Sequence, residues 1–194
     1  MISVRPIARL RRALPHRWGR VALLAPLVIL LEWARALVAM QPGLTAAALV
    51  LGGGALAVLA IGWPAARLGL GTSTFGLRLL GGLALGAVLL LPAAARAGAA
   101  PLLPAGLAVA AIAVSIGEEI AFRGVLYAAL EEAGGAPTAV IGTTFLWTLA
   151  HSLSHPPEFL PAAAAAGLLL ALWRWACRDL VAPILGHVIA DLAV

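Results

Sequence analysis

Six ionisable side chains interrupt the apolar C-terminal half of the chain: Glu118, Glu119, Arg123, His151, His187 and Asp191. A charged group at the centre of a bilayer costs about 2.5–3.5 kcal/mol on insertion scales, so such residues face a protein interior and mark a site. Their spacing divides the labour. Glu119 and Arg123 are i, i+4 and share a helical face, which predicts an ion pair that neutralises both. Glu118 points about 100° away and is expected to lack that partner. A carboxyl in apolar surroundings without a cation can be poised as a general base near neutral pH. The doubled glutamate therefore reads as one carboxylate held by Arg123 and one left to act. Trp147 lies one turn before His151, and His187 one turn before Asp191, so each pair projects from a single face. Neither pair is specific alone: a buried histidine bonded to a carbonyl, or an interhelical His-x-x-x-Asp clamp, is an equally simple reading. His155, beside Pro156 and Pro157, reads as a loop residue.

Helices in a membrane must position these groups. Of 194 residues, 63% are hydrophobic and 11% charged, and the mean hydropathy is +1.05, which excludes an ordinary soluble domain. The length has room for about six to eight spans of about 20 residues. The pattern predicts an all-α, polytopic transmembrane bundle with seven spans near 21–40, 44–63, 77–95, 102–131, 137–154, 159–175 and 179–194. Breaks fall at Gln41-Pro42-Gly43, Trp63-Pro64, Pro101, Gly134-Gly135-Ala136-Pro137, Pro156-Pro157 and Cys177-Arg178-Asp179. The chain divides into an Arg-rich head (1–20), N-terminal membrane helices (21–100) and a core (101–194) with a polar cavity between spans four, five and seven. Counting 1.5 Å per residue puts Glu118 in the cytoplasmic half, His187 near the middle and His151 beyond it.

The net charge of +5 comes from 13 basic residues, all arginine. Six of them (Arg5, Arg9, Arg11, Arg12, Arg17, Arg20) precede the first apolar run, where they anchor the N-terminus on the cytoplasmic side and suggest no nucleic-acid partner. Arg67, Arg78, Arg174 and Arg178 fall near cytoplasmic ends, leaving mainly Arg96 outside. The head followed by VALLAPLVIL resembles a signal peptide, with Arg11-Arg12 as a twin-arginine pair. The membrane-length segments that follow favour a start-transfer first span. Cys177 is the single cysteine, which rules out an intrachain disulfide or a thiolate metal cluster. Trp18, Trp63, Trp173 and Trp175 sit near span ends as interfacial anchors. Glu32 and Arg35 are expected to form a structural pair on the first helix.

Taken in order, Glu118-Glu119-x-x-x-Arg123-Gly124, Trp147-x-x-x-His151 and His187-x-x-x-Asp191 resemble the three motifs of the CAAX-processing and bacteriocin-processing intramembrane proteases, the CPBP or ABI family. The likeness includes Pro183-Ile184 and spans about residues 105–194; the first hundred residues add nothing to it. The resemblance implies a glutamic-type intramembrane endopeptidase with no cofactor and no metal. Glu118 and His151 would activate a water, while His187 and residue 191 would stabilise the oxyanion. Glu119, Arg123 and Trp147 would support them. The better-understood members carry Asn at the last position, and an ionised Asp only accepts hydrogen bonds. Asp191 therefore either stays protonated or orients an imidazolium at His187. The expected partner is a membrane-anchored peptide or protein in a lipid bilayer, and the arginine-only, alanine-rich composition suggests a bacterial inner membrane.

Two other classes compete. Glu118, His151, His187 and Asp191 are all possible Zn²⁺ ligands, but there is no HExxH helix, and ligation would consume the general base. A non-catalytic binding or immunity protein, or a proton-coupled carrier, could also use intramembrane Glu and His. Against a carrier, no paired inverted halves are visible.

Overall fold

The computed structural model describes residues 5–71, 75–91 and 103–192, and the side chains from Arg17 onward. Arg96, parts of the expected spans 77–95, 102–131 and 179–194, and the middle of the boundary at 69–76 lie outside the described residues. Among the described residues the secondary structure is entirely helical. The helices are α1 (Arg5–Ala39), α2 (Thr45–Val58), α3 (Ala65–Leu68), α4 (Phe75–Leu89), α5 (Ala105–Glu119), α6 (Tyr127–Ala150), α7 (Leu160–Cys177) and α8 (Val181–Leu192). A π-helical stretch, Ile120–Leu126, joins α5 to α6.

The breaks follow local chemistry. After α1 the chain turns through Gly43 at φ 78°, and Thr45 Oγ donates to the Ala39 carbonyl at 2.9 Å. α6 is interrupted at Gly135, whose φ of 83° and ψ of 176° suit glycine alone. There the chain folds back. The Leu130 side chain lies against Gly142, although a straight helix would hold residues 12 apart about 18 Å from each other. Tyr127, Leu130, Ala139 and Val140 share one buried cluster. Glu118 lies 17 residues before this hinge and His151 16 residues after it. Folding back at Gly135 thus brings the two to similar height, which corrects the staggered depths expected from the span ends.

Three segments are long and apolar enough to cross a membrane: Arg17–Ala39, Ala105–Leu153 (which contains the hinge) and Pro157–Cys177. Thr45–Val58, Phe75–Leu89 and Val181–Leu192 are shorter apolar helices. Their 14, 15 and 12 residues cover about 18–23 Å at 1.5 Å per residue, less than the ~30 Å hydrocarbon core. Seven full-length spans are therefore not what the described residues display.

Polarity is inverted relative to a soluble protein. Leu23, Leu51, Ile61, Leu80, Ile141 and Phe145 point outward while Glu32, Glu118, Glu119, Arg123 and His187 are buried, the distribution required of a chain whose solvent is lipid. Small residues allow the helices to meet. A Cβ on Gly117 would strike the Gly53 carbonyl, and one on Gly53 would strike the Ala113 carbonyl, so α2 and α5 cross backbone to backbone. Asp179 ties the other side together. It accepts from the Val181 and Ala182 amides that open α8, pairs with Arg78 of α4 at 2.7 Å and accepts from the Trp173 indole of α7.

Candidate active site

The π-helical stretch begins directly after Glu119, and local widening of this kind is frequent at functional sites. The expected pair is present across it. Arg123 Nη1 donates to Glu119 Oε1 at 2.7 Å, and neither side chain has any exposure. Arg123 Nη2 also donates to the Gly167 carbonyl at 3.3 Å, and the guanidinium carbon sits 4.0 Å from the centre of the Trp147 ring. A Cβ on Gly167 would come within 2.7 Å of that indole, which is why α7 carries glycine there.

Trp147 organises the remaining aromatic groups. Its ring lies 4.4 Å from His151 and, edge-on, 5.1 Å from His187, centroid to centroid. His151 closes α6, and its Nδ1 lies 2.8 Å from the Trp147 carbonyl. A carbonyl only accepts, so Nδ1 carries the proton and the neutral ring keeps its lone pair on Nε2. Among the described residues no hydrogen bond or ion pair joins His151 to Glu118.

His187 is the centre of the polar network. Its Nδ1 is 3.1 Å from Glu119 Oε1, and its Nε2 is 3.3 Å from Asp191 Oδ2 and 4.0 Å from Glu118 Oε2. An imidazole whose Nδ1 donates to a carboxylate can also donate from Nε2 only as the imidazolium. Ser115, one turn before Glu119, has its Oγ 2.7 Å from Asp191 Oδ2 and 2.6 Å from the Ala111 carbonyl.

Two participants escaped the sequence. Ser115 is the residue that opens the SIGEE stretch, and a serine in an apolar helix gives no signal of its own. The second corrects the expectation for Glu118, which is not without a cation. Arg35 Nη2 lies 3.1 Å from Glu118 Oε1 and 2.5 Å from Glu32 Oε2. Helical spacing sees only partners on the same helix, whereas this arginine arrives from α1, 83 positions away. The Glu32–Arg35 pair is real, but it is part of the site and not only of α1. His155 stays in the loop, its ring 4.3 Å from Phe159; burial pushes its imidazole below its ordinary value.

No three His, Cys, Asp or Glu residues among those described stand where they could hold a metal ion together. A cavity of about 310 Å³ lies away from this network, lined by Arg67, Glu131, Glu132, Arg174 and Arg178 among others. Arg17, Arg20 and Arg67 converge there on Glu132.

Residues 100–193 match the family described as type II CAAX prenyl endopeptidase Rce1-like. This segment belongs to the CAAX-protease-like family. No curated protein and no solved structure matches the chain. The CAAX-protease-like segment contains Ser115, Glu118, Glu119, Arg123, Trp147, His151, His187 and Asp191, while Glu32 and Arg35 lie outside it. The family is one of peptidases, and the apolar helices make this a multi-pass membrane protein.

Proposed function

We propose that this protein is an intramembrane endopeptidase that cleaves a membrane-anchored peptide with water activated by Glu118 and His151. The observation that carries the reading is the convergence of Glu118, the Glu119–Arg123 pair and the His187–Asp191 pair, with His151 on the same tryptophan. Glu118 Oε2 and the lone pair of His151 Nε2 are the two groups suited to take a proton from water. As the water oxygen bonds to the scissile carbonyl carbon, its proton passes to this base pair and the carbonyl π electrons move onto oxygen. His187, as imidazolium, supplies the donor for that oxyanion. When the C–N bond breaks, the same proton goes to the leaving amine, so the step balances without a cofactor. Glu119 and Arg123 hold His187 in place.

A proton count supports a donor role for Asp191. The Ser115 hydroxyl carries one proton, yet its oxygen makes two short contacts. If that proton serves the Ala111 carbonyl, the contact with Asp191 Oδ2 is completed by a proton from Asp191. The side chain then resembles the Asn of the family's better-understood members. Two guanidiniums for four carboxylates (Glu32, Glu118, Glu119, Asp191) also leave a network that holds protons in a low dielectric.

The substrate class follows from the membrane setting. A peptide anchored by an apolar or prenylated C-terminus would present its scissile bond at the depth of the network, in a polar cavity between α5, α6 and α8. Seven crossings from a cytoplasmic N-terminus in a bacterial inner membrane complete the proposal.

The test is direct. Purified protein in lipid vesicles is incubated with two probes, a prenylated peptide ending in a CAAX box and an unprenylated peptide with an apolar C-terminal anchor, and products are identified by mass spectrometry. Cleavage of either at a single peptide bond, unchanged by chelators, supports the reading. Cleavage of neither removes it, and activity lost to chelation and restored by Zn²⁺ replaces it with metal-dependent hydrolysis.

A further inference from the structure

We infer that the Glu32–Arg35 pair of α1 is a positioning device for Glu118, with Arg35 fixing one carboxylate oxygen so that the other faces the reacting water. The inference rests on the proposed hydrolysis and extends it to a helix outside the family-matched segment.

Four observations converge on it. Arg35 Nη2 bridges Glu118 Oε1 at 3.1 Å and Glu32 Oε2 at 2.5 Å, which leaves Glu118 Oε2 on the side of His187 Nε2, 4.0 Å away. All three members are withdrawn from solvent, with side-chain exposures of 10% for Arg35, 1% for Glu32 and 5% for Glu118. α2 is shaped for the arginine: a Cβ on Gly52 would lie 2.6 Å from both Cγ and Cδ of Arg35. α1 also grips the opposite wall, since the Trp33 indole donates to the Leu149 carbonyl at 3.3 Å, two residues before His151. One turn of α1 thus touches the elements carrying both members of the proposed base pair.

The charge balance explains why the cation comes with its own carboxylate. Before the chemical step the triad holds two negative charges and one positive. When Glu118 takes the proton from water the triad becomes neutral, because Arg35 keeps Glu32 as its counterion. Without Glu32 the same proton transfer would leave a buried guanidinium unpaired, which a low dielectric penalises. Glu32 therefore lets Arg35 hold Glu118 without opposing its protonation.

The experiment compares wild type, Arg35→Met, Arg35→Lys, Glu32→Gln and Gly52→Ala in vesicles, with kcat and KM measured on whichever probe the wild type cleaves. Positioning predicts that Arg35→Met and Glu32→Gln lower kcat about tenfold or more with KM within about twofold, a loss confined to the chemical step. Arg35→Lys, which keeps the charge, recovers most of the Arg35→Met loss. Gly52→Ala removes no charge and displaces the arginine stem, so it lowers kcat in the same direction and covers the case in which Arg35→Met does not fold. Wild-type kcat in Gly52→Ala and Glu32→Gln, or a rise in KM alone, overturns the inference while leaving the proposed hydrolysis intact. A wild type that cleaves neither probe fails the functional reading instead. A double-mutant cycle of Arg35→Met with Glu118→Gln, read as unfolding equilibria, then decides whether the two side chains are linked. Coupling of about tenfold, equivalent to about 1.4 kcal/mol, retains the contact, and additivity removes it.

Discussion

Removing either half of the Glu119–Arg123 pair should damage the fold far more than removing both. Neither side chain is exposed, and taking one partner from a buried pair costs about 3–5 kcal/mol because the other charge is stranded. Arg123→Met strands Glu119, whose Oε1 keeps His187 Nδ1 while its Oε2 has no partner. It also forfeits the stacking on Trp147, worth about 2 kcal/mol when desolvated. The expected loss is therefore about 5 kcal/mol or more. Glu119→Leu strands Arg123, which retains the Gly167 carbonyl and the indole, so the lower end of the range, about 3 kcal/mol, applies. In the double variant no charge is stranded. What remains is the lost stacking and the unpaired Gly167 carbonyl and His187 Nδ1, about 3–5 kcal/mol together. The coupling should thus reach about 3 kcal/mol, the top of the usual range for residues in contact. Reversible unfolding in mixed micelles, with all four proteins compared at one lipid composition, measures it. Additivity within about 0.5 kcal/mol would mean that the two side chains do not share a buried pair.

Further expectations follow from single residues. Asp191→Asn should keep cleavage within about threefold of wild type, since the amide donates where the proton count places a donor; a hundredfold loss in initial rate would favour an ionised aspartate that orients His187. Gly117→Val should abolish the folded yield by size-exclusion chromatography, because the new side chain meets the Gly53 carbonyl of α2; a normal monodisperse yield would refute the backbone crossing. A topology reporter fused after residue 194 should be active only on the side opposite the cytoplasm if the proposed seven crossings hold, and cytoplasmic activity would require an even number.

The sequence displayed the elements of the site better than their assembly. The membrane setting and the Glu119–Arg123 pair were legible because hydropathy and i, i+4 spacing are local properties, and the structure bears both out. The hinge was legible as Gly134-Gly135-Ala136-Pro137. Its consequence was not, since only the backfold shows that residues 17 before and 16 after Gly135 return to one height. Arg35 was visible as a charge on the first apolar run and invisible as a partner of Glu118, because a pairing across 83 positions leaves no periodic trace. The glycines that make it possible, Gly52 beside the arginine stem and Gly53 at the helix crossing, look in sequence like ordinary small residues of a membrane helix. Ser115 was hidden for a related reason: its importance depends on α8 bringing Asp191 to it. Span number was overestimated because composition counts apolar residues and does not reveal where short helices stop.

The central claim is that Glu118 takes the proton of the attacking water, and Glu118→Gln tests it most directly. The amide keeps the size of the side chain and the oxygen that Arg35 holds, and it removes the base. The account predicts a protein with wild-type yield and helical content whose initial rate on a cleaved probe falls by about 10² or more, the usual contribution of a general base. A folded Glu118→Gln protein that cleaves at the wild-type rate would contradict the account.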